Sequence, residues 1–305
     1  MRVMIERTRI AGMFMQSLSG LACAIIVAMV AIILGNVGIH GLDRLSIGFL
    51  TRAPEAGMTG GGIFPAIFGT FALVLLMTIA VIPLGVATAV YMHEYAPRRS
   101  RAVHLVRLAI QNLAGVPAIV FGLFGLGFFV EFVGRGLDRA FYGGRLVYGQ
   151  PAIVWAALTM ALLTLPTVVV ATEEALRAIP QNYREVAYVL GATRWQMIRR
   201  VVLPQAVGGI LTGGILAVSR GSGEVAPVMF TGAAYFLPEL PTRLNGQFME
   251  LGYHVYVMTT QSPDVEATKP ILYSTVLVLL LLTFALNFSA ILIRARIRRR
   301  LRYAR

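Results

Sequence analysis

Six stretches of this sequence, 18–37, 63–92, 112–132, 151–171, 206–230 and 271–293, are long and apolar enough to cross a lipid bilayer. About 20 helical residues at 1.5 Å rise span the ~30 Å hydrocarbon core. Inside that core no water can satisfy a backbone N–H or C=O, so the chain is held to helices that bond their own backbone. The fold class follows: an all-α polytopic membrane protein with six helices. Composition agrees, since 57% of the 305 residues are hydrophobic and only 13% charged, against about 25% charged in soluble domains. The second stretch is too long for one straight crossing, and with Pro83 inside it a kink or an interfacial first turn is expected. The first follows basic residues as a signal peptide would. Its apolar run exceeds a typical h-region, however, and no A-x-A-like site follows within 35–41, so it reads as a retained helix. No internal repeat or low-complexity linker divides the chain. It reads as an N-terminal segment 1–17, one membrane domain 18–293 and a basic tail 294–305.

Net charge +13 fits either nucleic acid or a membrane surface. Sorting the charge by loop decides between them. The N-terminal segment, the second and fourth loops and the tail hold 19 of the 27 basic residues, and the other three loops hold seven. By the positive-inside rule both termini and the 172–204 loop face the cytoplasm, and no nucleic-acid partner is needed. The tail, with Arg294, Arg296, Arg298, Arg299 and Arg300, reads as an anchor on the anionic inner leaflet. The remaining basic residue, Arg220, lies inside a span.

Catalytic signatures are missing. The single lysine, Lys269, precedes Pro270, so no Walker-type phosphate loop exists, and neither H-E-x-x-H nor G-x-S-x-G occurs. His40, His93, His104 and His254 are scattered and Cys23 is alone, so no metal site or disulfide framework is expected. Asn287-Phe-Ser289 fits a glycosylation pattern but falls inside the last stretch. The chain reads as a non-enzyme without a cofactor of its own. If transport costs ATP, another chain hydrolyses it.

The 172–204 loop is the most informative segment. Asn182 suits an N-cap, with Glu185 three residues later, and Gly191 suits the left-handed position after a first helix. Thr193 and Gln196 have capping-box spacing for a second helix, whose end Pro204 marks. Val186, Val189, Leu190, Trp195, Ile198, Val201 and Val202 supply apolar surface beside arginines. Such a helix–bend–helix either docks a soluble partner or lies in the membrane interface.

In the fifth stretch Arg220 and Glu224 are four residues apart, hence on one helical face. Counted from Pro204, Arg220 lies roughly 20–25 Å along the helix, past mid-bilayer. An arginine there costs about 2.5–3.5 kcal/mol on insertion scales, so it should face a partner or water. The pair either neutralises itself or lines a substrate path. A guanidinium offers five fixed donors to an oxyanion, and a carboxylate can accept a proton from a protonated one. Small residues at Gly209, Gly213, Ala217 and Gly221 permit close helix packing. Glu131 and Arg135 read as an interfacial ion pair without function.

The 172–204 loop resembles the EAA loop of ATP-binding-cassette importer permeases, E-A-A-x3-G-x9-I-x-L-P. Glu185, Ala187, Gly191, Leu203 and Pro204 stand at the family spacing, with Val186 and Val201 as mild departures. Over about 60–298 the chain is similar to the PstA-type permeases of phosphate-specific importers. The stretches 61–70 (GGIFPAIFGT), 83–95 (PLGVATAVYMHEY), 113–124 (LAGVPAIVFGLF) and 219–227 (SRGSGEVAP) carry that likeness. The last departs from R-A-x-G-E-T-A-P at Gly221 and Val225. The sequences at 235–238 and 260–263 also look like longer members of that group.

This resemblance implies a type I importer bundle of MetI-like fold in a bacterial cytoplasmic membrane. It implies that the loop docks on a separate, dimeric ABC ATPase, that a second PstC-type permease lies alongside, and that an extracytoplasmic phosphate-binding protein delivers substrate to the outer loops. The expected function is inward passage of inorganic phosphate by alternating access, with Arg220 and Glu224 on the path. Sulfate or molybdate is the alternative within the class. An ion-coupled secondary transporter or channel is the alternative outside it, and such proteins usually show inverted repeats and broken helices, neither of which is visible in the sequence.

Overall fold

A computed structural model describes residues 2–55, 58–97, 100–262 and 264–303, with side chains from 12 to 299 among them. Arg98, Arg99, Pro263 and Arg305 lie outside the described residues, as do the side chains of Arg2, Arg7, Arg9, Arg300 and Arg302.

Among the described residues six helical segments are long and apolar enough to cross a membrane: Gly12–Gly41, Phe64–Tyr95, Ala118–Phe141, Ile153–Arg177, Arg194–Gly221 and Val265–Arg299. They belong to α1 (Arg2–Gly41), α3 (Phe64–Val90) and α5 (Ala118–Phe124) with α6 (Arg135–Phe141). The others are α7 (Ile153–Arg177), α9 (Arg194–Met197) with α10 (Leu203–Gly221), and α13 (Val265–Tyr303). Between α1 and α3 lie the short α2 (Ile47–Thr51) and a hairpin, β1 (Pro54–Glu55) on β2 (Gly60–Gly61), with Pro54 opposite Gly61. Gly61 has φ +80°, and a Cβ there would meet the Glu55 amide at 2.7 Å, so glycine is required at this turn.

α7 is the centre of the bundle. Two-thirds of its most apolar window is buried (67%), against none of that of α1. Leu73, Val74, Met77 and Val81 of α3 interleave with Ala156, Ala157, Met160 and Val168 of α7 and with Ala217 and Val218 of α10. The close approach rests on small residues. A Cβ on Gly85 of α3 would meet Val168 at 2.7 Å, and one on Gly213 would meet Ala171 at 2.9 Å.

Four local expectations differ from the structure. The third crossing starts at Ala118, because α4 (Arg101–Leu113) is a separate helix capped by Ser100, and Pro117 ends its register. Asn182 lies inside the first turn of α8 (Gln181–Val189), and Pro180 stands at the cap without a side-chain hydrogen bond. Pro204 does not end a helix. The π-helical turn Ile198–Val202 carries α9 into α10, with Pro204 in the first turn, where its missing N–H goes unneeded. The fifth crossing is broken, since α10 stops at Gly221 and α11 (Ala226–Thr231) restarts with Pro227 in its first turn. Gly221, Gly223 and Pro227 explain that break.

Candidate functional site

Two regions hold the charged residues that the sequence singles out. At the end of the bundle carrying the 172–204 loop, α8 and α9 form the expected helix–bend–helix. Gly191 takes φ +81° at the bend, and the capping box is complete: Gln196 N donates to Thr193 Oγ1 and Thr193 N to Gln196 Oε1. The structure sorts the apolar residues by face. Ala187, Met197, Ile198 and Val202 are buried with Val90, Met92 and Leu176. Val186, Val189, Leu190 and Trp195 point outward, with Val189 86% and Leu190 81% exposed. Glu185 is exposed, and Leu203 and Pro204 are partly buried where the loop enters α10. Exposed apolar side chains beside a carboxylate suit a protein partner.

Beneath this surface is an arrangement that the sequence did not disclose. The π-helical turn Tyr91–Tyr95 extends α3 and carries Glu94, which is buried against Arg184 of α8. Arg184 Nη2 donates to Glu94 Oε1 at 2.7 Å and Nε reaches both carboxylate oxygens at 3.2 and 3.3 Å. Its remaining donors reach the Ile179 and Leu176 carbonyls at 2.9 and 3.0 Å, at the end of α7. Arg194 donates to the Glu94 backbone carbonyl and lies 5.0 Å over the Tyr95 ring. Glu173 of α7 pairs with Arg107 of α4 and lies 3.8 Å from Arg177. Glu94, Arg107, Glu173, Arg177, Arg184 and Arg194 line one cavity of about 370 Å³. The only sequence signals were carboxylates placed at the ends of apolar runs.

In the second region, Arg220 and Glu224 are brought together, though not on one helix face. Arg220 occupies the last turn of α10, where exposed carbonyls favour a cation. Glu224 lies in the break before α11. Nε and Oε1 are 3.8 Å apart, beyond hydrogen-bond reach, and both side chains are about one-third exposed (35% and 28%). Among the described residues the Arg220 guanidinium donates no hydrogen bond, so its N–H groups are free for a ligand acceptor. The stripe of small residues backs this helix. Gly209 lies against Ala175 and Gly213 against Ala171 of α7, Ala217 is buried, and Gly221 abuts Met77 of α3. Glu131 and Arg135 form a 2.8 Å exposed pair.

Near the break, α12 (Leu251–Thr260) is capped by the buried Glu250, which accepts from Gly252 N at 2.8 Å and Tyr253 N at 2.6 Å. Thr70 of α3 accepts from Leu251 N at 2.9 Å, fixing the two helices together. Burial pushes the Glu250 carboxyl above its ordinary range, against the downward pull of those amides. Burial likewise lowers His254 to about 4, and its Nδ1 has no partner.

Comparison with known proteins agrees with the helical architecture and extends it. Residues 81–303 match the family model described as "Binding-protein-dependent transport system inner membrane component". The chain is 34% identical to the "Probable ABC transporter permease protein YqgI" of Bacillus subtilis over 84% of this chain and 85% of that one. It is also 34% identical to YqgH of the same organism, over 72% of each. Identity to the "Phosphate transport system permease protein PstA" of Yersinia pestis is 36%, over 63% of this chain and 60% of that one. Among solved structures, a permease of the bacterial alginate importer superposes over 91% of this chain and 94% of its own, with TM-score 0.64 and 18% identity. A chain of the MetNI methionine transporter does so over 77% and 94%, with TM-score 0.52 and 16% identity. These structures share the fold.

Proposed function

The chain belongs to the family of binding-protein-dependent transport system inner membrane components, and from that premise we propose that it is the PstA-type permease of a phosphate importer. As a member of that family it is a non-catalytic, multi-pass permease subunit of a bacterial ABC importer, a class whose permeases work with an ATPase and a binding protein. Phosphate, the orientation of the termini and the identity of each partner are the proposal. The observation that carries it is Arg220, a guanidinium with unused donors beside Glu224 at a helix break in a membrane span. The similarity to PstA of Yersinia pestis supports the same substrate.

The chemistry favours phosphate over sulfate. Arg220 can donate to two oxygens of a bound oxyanion. Glu224 would repel a bare dianion, but it can accept a hydrogen bond from a protonated phosphate oxygen. Sulfate carries no proton at neutral pH, so the same carboxylate disfavours it. When the site is empty, Glu224 screens the arginine charge.

Around this site, 172–204 would dock on a dimeric ATPase through Glu185, Val186, Val189, Leu190 and Trp195, with Gly191 setting the bend. Similarity to two distinct permeases of one organism supports pairing with a second, PstC-type permease. A phosphate-binding protein would engage the opposite face, where the β1–β2 hairpin and α12 lie. Both termini then face the cytoplasm of a bacterial inner membrane, and this chain needs no cofactor.

The test is uptake of labelled phosphate by proteoliposomes holding this permease, the second permease, the ATPase and the binding protein. ATP-dependent phosphate accumulation is expected. Accumulation of sulfate or molybdate with none of phosphate would refute the substrate, and flux without the ATPase would refute the mechanism.

A further inference from the structure

The docking loop is tied to the transmembrane core twice, and the two ties close a loop through the structure. One tie is covalent: α9, the π turn Ile198–Val202 and α10 form a continuous helical run from Arg194 to Gly221, so the helix that begins in the docking loop ends beside Arg220. The other is ionic. A single guanidinium, that of Arg184 on α8, bonds the carboxylate of Glu94, the Leu176 carbonyl in the last turn of α7 and the Ile179 carbonyl just beyond it, while Arg194 of α9 holds the Glu94 main chain. At the far end α3 meets α10 again, where Met77 fills the space that a side chain on Gly221 would need.

A buried ion pair is tolerated only when its geometry is good and its other hydrogen-bonding groups are satisfied. Arg184 meets both conditions, being 7% exposed in its side chain against 6% for Glu94. The loop therefore cannot slide on the second span without leaving a charge buried and unpaired. A packed element joined at both ends transmits displacement as a body.

We propose that Glu94 is a positioning residue for energy coupling: with Arg184 it makes the docking loop and the second span move as one rigid unit, so that displacement imposed at the loop reaches the Arg220–Glu224 break through both α10 and α3. This rests on the docking role proposed above for 172–204 and does not depend on the substrate being phosphate.

The experiment uses the assembled complex in proteoliposomes, reading phosphate uptake per ATP hydrolysed together with the distance between spin labels at exposed positions 87 and 182. In the wild type the label distance is expected to be narrow and unchanged by ATP. In Glu94→Gln the ATPase is expected to remain bound and to hydrolyse ATP within about twofold of wild type, while uptake per ATP falls at least tenfold and the label distance broadens. Wild-type uptake per ATP in Glu94→Gln, or a wild-type label distance that shifts with ATP, would overturn the proposal. If Glu94→Gln fails to assemble, Arg184→Lys reads the same two quantities, and unchanged values overturn it. Loss of the ATPase from both variants would assign the pair to docking and overturn transmission. If the wild type carries no phosphate, the substrate reading fails, and the label distances still decide whether the tie is rigid.

Discussion

Arg220 has a charge that its surroundings balance only loosely, and this is what makes it testable. Arg220→Ala should reduce uptake to background while the complex still purifies intact, because no hydrogen bond among the described residues depends on its side chain. Glu224→Gln should keep transport but narrow the preference for phosphate over sulfate, measured by competition, since an amide no longer repels an unprotonated dianion. His254 gives a pH signature. Its folded value is lowered to about 4 from 6.5, so the unfolded chain binds the extra proton between those values. The His254 contribution is intact above pH 6.5 and is lost progressively as pH falls toward 4, at most about 3 kcal/mol. Thermal melts of the detergent-solubilised complex should therefore drop between pH 6.5 and 5, and His254→Asn should flatten that drop. Glu250, four residues earlier and raised by burial, works oppositely: its share is full below 4.5 and fades as pH rises through its folded value.

At the scale of elements, local chemistry was readable and long-range pairing was not. The Thr193–Gln196 box and the left-handed Gly191 are set by neighbours within three residues, so their spacing sufficed. The break after Gly221 was only weakly signalled, because an apolar window averages over 222–225 and Gly221 with Gly223 fits close packing as readily as local loosening of the helix. Pro204 misled because a π turn, which no simple pattern reveals, absorbed it. Glu94 and Arg184 are 90 residues apart, so nothing in one sequence joins them. Two variants follow. Gly213→Leu should overpack α10 against α7, costing about 1–3 kcal/mol and lowering the yield of folded permease in a fluorescence-detected size-exclusion profile. Glu185→Arg should leave that profile unchanged and weaken co-purification of the ATPase, since Glu185 is exposed and bonds nothing described. Unaltered co-purification would sink the docking role.

For the whole molecule, the six-helix class was legible because hydrocarbon thickness leaves so few alternatives, while the orientation read from the arginines stays a proposal. What the sequence could not convey is how unequally the helices share the burial. α3, α7 and α10 form the packed centre, while α1 meets α13 near its own C-terminal end, where Ser274 Oγ donates to the Gly41 carbonyl at 2.8 Å and a Cβ on Gly41 would meet Leu277 at 2.9 Å. That geometry has a consequence for how the protein is made. About 220 residues separate the end of α1 from the start of α13. At about 5–20 residues per second, α1 waits roughly ten to forty-five seconds in the lipid before the helix it packs on has been synthesised. Throughout that interval its exposed apolar surface is open to any neighbouring helix, so the seam between α1 and α13 closes late.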